Sequence, residues 1–201
     1  MKHMLIAQSG GPSAAINATV AGVVERCMTS GQVGRIYGAR NGIKGVIDGN
    51  YIDLTEELAS PERLELLCHT PAAALGSCRL KLNNADEEQL GQIVQALLER
   101  EIGYFVYIGG NDSMDTVHKL SDYIRKHNIQ GLSVMGAPKT IDNDLPVTDH
   151  CPGFGSAAKY IAATFSEIVR DREVYDIPAV TIVEVMGRNA GWLTAAAALS
   201  R

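Results

Sequence analysis

Several things are missing from this 201-residue chain, and each absence removes a class of protein. Its four cysteines, Cys27, Cys68, Cys78 and Cys151, form no Cys-x-x-Cys pair and stand at no ligand spacing from the histidines. That excludes a zinc motif and a disulfide framework, and leaves scattered small thiols suited to a reducing compartment. No apolar run approaches the length of a membrane span. Met1-Lys2-His3 leads straight into a strand-like run with no signal peptide. A cytoplasmic protein with no membrane partner is therefore expected. A basic excess is also lacking: 18 Lys and Arg stand against 23 Asp and Glu, a net charge of −5. This argues against general nucleic-acid binding. A phosphate site stays open, because such sites rely on local charge and backbone N–H groups. Neither Gly-x-Gly-x-x-Gly nor the P-loop Gly-Lys-Ser/Thr signature follows the first strand.

What is present is an ordinary globular mixture, 46% hydrophobic and 20% charged, with 20 glycines placed mainly at strand ends. Met4–Gln8 is a short apolar run, followed by Ser9-Gly10-Gly11-Pro12-Ser13 and by helical periodicity over Ala14–Ser30. Strand, glycine turn and helix together set backbone N–H groups and a helix N-terminus where an anion can sit. The same pair also serves any tight strand-to-helix turn. Arg35–Ala39 predicts a second strand, Gly42–Gly45 a turn and Ile52–Leu54 an edge strand. Pro61–Cys68 predicts a helix with Ser60 as N-cap. Leu75-Gly76-Ser77-Cys78-Arg79 is a loop whose Arg79 suits bidentate phosphate binding or plain surface exposure. Asp86–Arg100 is a clear amphipathic helix. Tyr104–Ile108 then reads as a buried strand ending in Gly109-Gly110-Asn111-Asp112-Ser113, with a helix over Met114–Lys126. The strand, Gly-Gly, helix unit thus occurs twice, and in a parallel sheet both turns lie on one edge. Asn111 and Asp112 offer oxygens to Mg²⁺, while Asp112 or Ser113 could equally cap the helix.

Leu132–Met135 reads as a buried strand, ended by Pro138 within Gly136-Ala137-Pro138-Lys139-Thr140-Ile141-Asp142-Asn143-Asp144. A cation for phosphate, a hydroxyl to orient it and a carboxylate to take a proton are the parts of a phosphoryl-transfer site. An Asx-rich turn explains the same composition. Beyond Pro146 and Pro152, Gly155–Arg170 predicts a helix burying Ala158, Ile161, Ala162, Phe165 and Val169. Pro178–Val185 predicts a β-branched strand running into Met186-Gly187-Arg188-Asn189-Ala190-Gly191-Trp192, with an alanine-rich helix to the end.

Taken together, Gly10-Gly11-Pro12 with Asn17, the Gly76–Arg79 loop, Gly109–Ser113, Pro138–Asp144 and Met186–Trp192 resemble the phosphofructokinase family along essentially the whole chain. The resemblance implies phosphorylation of the 1-hydroxyl of fructose 6-phosphate. Asp142 is then the general base, with Thr140, Ile141 and Asp144 beside it. Gly11 and Arg79 hold the donor's phosphates, and Met186, Gly187 and Arg188 contact the sugar phosphate. Asp112 together with Lys139 resembles the pyrophosphate-dependent branch. A carboxylate at Asp112 repels an α-phosphate, and Lys139 compensates charge on the transferring or departing phosphate. An ATP-dependent member of the family and a non-catalytic phosphate-binding module are the alternatives. Mg²⁺ is the implied cofactor, with Asn111 standing where many members carry a metal-binding aspartate. The implied architecture is α/β: a mostly parallel sheet flanked by helices, with the beginning of a second α/β domain. Residues 1–150 would form the donor-binding domain and residues 151–201 the start of the sugar-phosphate domain. Family members run well past residue 201 and are dimers or tetramers, so a homo-oligomer is expected of the whole protein and a fragment of this chain.

Overall fold

In a computed structural model, residues 1–80, 82 and 87–200 are described. They fall into two compact units, Met1–Lys139 and Thr140–Arg201.

The first unit alternates strands and helices. Its elements are β1 (His3–Gln8), α1 (Ala14–Ser30), β2 (Ile36–Ala39), α2 (Gly42–Asp48), β3 (Tyr51–Asp53), α3 (Leu54–Glu57) and α4 (Pro61–His69). There follow α5 (Glu87–Glu99), β4 (Ile102–Gly109), α6 (Asn111–Lys126) and β5 (Ser133–Pro138). The sheet order is β3-β2-β1-β4-β5. The β1–β2, β1–β4 and β4–β5 pairs are parallel, and only β2–β3 is antiparallel. The mostly parallel sheet expected from the sequence is present. β1 and β4 lie innermost and are continuous apolar runs, because helices cover both their faces. On one face Leu5, Phe105, Tyr107, Ile93 and Leu97 pack with Ile43 and Val46. On the other, Met4, Ile6 and Ile108 pack with Ile16, Val20 and Val24. Leu5, Ile6, Phe105 and Ile108 are fully buried, each contributing about 1.5–3 kcal/mol by leaving water.

The chain builds β2 and β3 to one side of β1, then returns to place β4 and β5 on the other. The reversal puts a crevice outside the carboxyl ends of β1 and β4, where open α/β sheets bind ligands. Both glycine pairs sit there.

Several elements differ from expectation. Gly42–Gly45 is not a turn but the first part of α2, entered through Asn41 in the left-handed region (φ 60°). α6 begins at Asn111, so Asn111, Asp112 and Ser113 form its first turn. β5 is an edge strand whose Met135 is 68% exposed, so Leu132–Met135 is not a buried run. The expected start of the amphipathic helix at Asp86 lies outside the described residues, as does the terminal Arg201 of the last helix.

The second unit contains α7 (Phe154–Glu173) and α8 (Trp192–Ala197), followed by a short 3-10 turn. α7 forms where periodicity predicts it but buries none of its residues fully. Ala158, Ile161, Ala162 and Phe165 are half-buried and Val169 is exposed. Residues 178–185 do not form the expected strand. Val180 and Ile182 are 89% and 91% exposed. β-branched residues favour extended backbone, but a strand also needs a neighbour to take its N–H and C=O groups. No described residue supplies one.

Candidate phosphoryl-transfer site

The crevice at β1 and β4 is built from backbone. Ser9 continues β1's pairing, its N–H donating to Ile108 O at 2.9 Å. Gly10 then takes φ +81°, a conformation that suits glycine, and its α-carbon faces Gly110. A Cβ there would stand 3.6 Å from Gly110 N and 3.7 Å from Lys139 Nζ. Lys139 ties the turns together from the end of β5. Its N–H donates to Gly109 O at 2.8 Å, and its ammonium donates to Gly11 O at 2.5 Å. Gly10, Gly11, Gly110 and Lys139 are thus brought to one place.

Both helices behind these turns begin without a side-chain cap. Gly110 is the N-cap of α6 and Ser13 that of α1, and neither accepts a cap bond through a side chain. The Ser13 hydroxyl is buried with no hydrogen-bond partner. By contrast α3 and α4 are capped by the side chains of Asp53 and Ser60. The first N–H groups of a helix otherwise lack acceptors, so the two long helices present donors and the positive ends of their dipoles at the crevice. Asn111 and Asp112 are exposed in the first turn of α6. Their amide and carboxylate oxygens are the hard donors that Mg²⁺ takes in ones and twos beside phosphate. No cluster of three or more His, Cys, Asp or Glu with metal-binding geometry occurs among the described residues.

The loop bearing Arg79 lies against the first turn. Ser77 Oγ donates to Gly10 O at 2.8 Å, and Ser9 Oγ donates to Cys78 O at 3.1 Å. Arg79 itself is exposed. Beneath the loop, burial pushes the Tyr107 phenol up to about 12; its hydroxyl meets the Ser9 hydroxyl, the Ile43 backbone N–H and the Cys78 thiol. This phenol stays neutral and works as a packing and hydrogen-bonding group.

In the second unit, Thr140–Asp144 forms a turn organised by its own polar groups. Thr140 is buried, and its Oγ1 accepts from Asp142 N at 3.0 Å. Asn143, at φ 59°, spans the loop that follows: Nδ2 donates to Asp149 O at 3.1 Å and Oδ1 accepts from Cys151 N at 2.7 Å. One Asp142 carboxylate oxygen is buried with no hydrogen-bond partner. Buried polar atoms are nearly always paired, so an oxygen with no protein partner is open to a water, an ion, a ligand or a reacting group. Asp144 lines an open groove of about 730 Å³ together with Asn143, His150, Phe154, Asn189 and Trp192. Met186, Gly187 and Arg188 precede the groove's Asn189 and do not line it; Met186 and Arg188 are exposed. Ile141 is half-buried, with its Cγ2 against Gly153.

The phosphofructokinase family pattern matches residues 3–201. The chain belongs to the phosphofructokinase family. It is 45% identical over 198 residues to a pyrophosphate–fructose 6-phosphate 1-phosphotransferase of Rhodospirillum rubrum, covering 98% of this chain and 47% of that protein. A Halomonas elongata protein of the same name is 43% identical over 199 residues, covering 96% and 47%. The crystal structure of pyrophosphate-dependent phosphofructokinase from Nitrosospira multiformis superposes with a TM-score of 0.86 at 42% identity, covering 99% of this chain and 49% of that one. The chain spans about half the length of these relatives.

Within this family fold, sequence reasoning passed over Gln8, Ser13 and Ser77 as individual groups and gave Asn17 no role. The one available signal was polarity out of place. Gln8 ends an apolar strand and Asn17 falls on the apolar side of a helix, and both are essentially inaccessible to solvent.

Proposed function

We propose that the protein to which this chain belongs transfers a phosphoryl group reversibly between pyrophosphate and the 1-hydroxyl of fructose 6-phosphate. The observation that carries this reading is the pair of helix N-termini without side-chain caps at one crevice, with the Lys139 ammonium on the Gly11 carbonyl. Backbone donors, two dipoles and one cation suit a compact polyanion. The similarity of the relatives, named for pyrophosphate, supports the donor.

In this reading Gly11, Arg79 and Lys139 hold the donor, with charge neutralisation and alignment as the main catalytic contributions. Asp142 accepts the proton of the attacking hydroxyl. The new bond runs from the sugar oxygen to the transferred phosphorus, while the bridging P–O bond of pyrophosphate breaks and inorganic phosphate departs. Thr140 fixes the Asp142 backbone, Ile141 and Asp144 flank the acceptor, and Met186, Gly187 and Arg188 take its phosphate. Asn111 and Asp112 would hold Mg²⁺, which supplies further neutralisation of phosphate charge when bound. Asp112 also disfavours an α-phosphate by like charge, which weighs against ATP. A cytoplasmic homo-oligomer serving glycolysis and gluconeogenesis completes the proposal.

The deciding experiment supplies the complete polypeptide with fructose 6-phosphate, Mg²⁺ and either pyrophosphate or ATP, and follows fructose 1,6-bisphosphate. Formation with pyrophosphate and not with ATP is the expected result. Formation with ATP alone overturns the donor assignment and leaves the family membership standing.

A further inference from the structure

Residues 70–78 contain no helix or strand, yet they carry the Gly76–Arg79 loop to the first glycine turn. Such a segment has to be held by something other than a ladder of backbone bonds. Here the holding groups are two buried side-chain amides. Gln8, fully buried at the end of β1, donates from Nε2 to Ile16 O at 3.0 Å and to Asn17 Oδ1 at 2.9 Å. Its Oε1 accepts from Leu75 N at 2.8 Å. Asn17, 1% exposed in α1, donates from Nδ2 to Thr70 O at 2.8 Å, and its Oδ1 also accepts from Ala74 N at 2.9 Å. Every amide oxygen and nitrogen of the pair is engaged, and three of the five bonds end on the 70–75 backbone.

The far end of the segment is fastened by the Ser77 hydroxyl to Gly10 O and by the Ser9 hydroxyl to Cys78 O. Between the two ends, Leu75 O accepts from Asn41 N at 2.7 Å, and Gly76 turns the chain at φ +74°. Because Gln8 ends β1 and Ser9 directly follows it, the amide clasp and the glycine turn share one rigid strand end.

We infer that residues 70–78 form a strap, clasped by the Gln8–Asn17 amide pair, whose task is to position the donor-phosphate loop against the Gly10–Gly11 turn. Gln8 and Asn17 are positioning residues: neither reaches a substrate, and both act through the strap on Arg79 and Gly11. The inference rests on the donor site proposed above. A clasp of amides suits this work because its geometry is directional, whereas apolar packing of the same segment would leave its register free. The strap also explains why a buried glutamine ends an otherwise apolar strand.

The test uses Asn17→Ala in the complete polypeptide, with two readouts. Hydrogen exchange at the Ala74 amide, whose acceptor is removed, should accelerate about tenfold, the effect of losing a buried hydrogen bond. The KM for pyrophosphate should rise by a similar factor while the KM for fructose 6-phosphate stays put. Where Asn17→Ala fails to fold, Ser77→Ala loosens the exposed end of the strap and is read the same way, with the shift again confined to the donor. Faster exchange with an unchanged donor KM overturns the inference, as does an equal rise in both KM values, which would mark general loosening. Should the unsubstituted polypeptide use ATP and not pyrophosphate, the donor reading fails on its own. The strap is then judged by the same KM pair measured with ATP.

Discussion

Asp142 is held from its backbone side. The Thr140 hydroxyl accepts its N–H, Asn143 braces the loop beyond it, and one of its carboxylate oxygens is buried without a partner. A group placed this way keeps its position without spending its acceptor, which is what a general base requires. Asp142→Asn retains shape and hydrogen-bonding size but cannot accept a proton. In the complete polypeptide, turnover should fall by roughly 10²–10⁴-fold or more, the range removed with a general base. Sugar-phosphate affinity, measured by calorimetry, should be retained. Turnover near normal would remove Asp142 from that role. In the first unit the Lys139 ammonium rests on the Gly11 carbonyl and ties the turn to the end of β5.

At the scale of elements, helix starts divide into those capped by a side chain and those that are not. α3 is capped by Asp53, whose Oδ1 accepts from Thr55 N at 2.9 Å and Glu56 N at 3.3 Å, while Oδ2 pairs with Arg35. Partial burial pushes this carboxyl up. The hydrogen bonds from Arg35, the Thr55 side chain and the Glu56 and Thr55 backbone outweigh that, leaving it below its ordinary range. A depressed folded-state value means that the stabilisation is complete above the unfolded value of about 3.9 and is lost as pH falls through the lower, folded value. Asp53→Ala should therefore cost about 1 kcal/mol near neutral pH, a typical cap loss. The gap from the unsubstituted chain in urea midpoints should narrow in strong acid; a gap constant with pH would show that the carboxylate charge contributes nothing. Elements were legible in the sequence wherever one physical signal dominated. β1 and β4 read as strands because burial on both faces demands continuous apolar runs, and α4 because Ser60 and Pro61 mark a helix start. α2 was missed because Gly42 and Gly45 look like turn residues, while their close packing against Gln8 O and the Arg40 backbone is invisible in one dimension. That the two glycine turns and Lys139 come together was legible, since a parallel sheet sets both turns and the end of β5 on one edge. The Gln8–Asn17 clasp was not, because its meaning lies in backbone groups far along the chain.

For the whole molecule, the two units differ in how much they bury. The first has a five-stranded sheet covered on both faces by apolar clusters, and its innermost strands exchange hydrogen bonds on both edges. In the second, α7 buries no residue fully, and residues 178–185, rich in β-branched side chains, have no sheet partner among the described residues. Relatives are about twice as long as this chain. Val180 and Ile182 in the 178–185 segment face solvent. Protection from hydrogen exchange follows hydrogen bonding and burial, so the 201-residue chain should show a steep contrast. Amides over 179–185 should exchange at close to the unstructured rate, while those of β1 and β4 should be the slowest in the molecule. In the complete polypeptide the same 179–185 amides should become protected, by about tenfold or more for each backbone bond gained on burial. Protection of 179–185 already present in the 201-residue chain would mean that this segment finds its pairing within the chain, and the strand expected from its composition would then form without the rest of the protein.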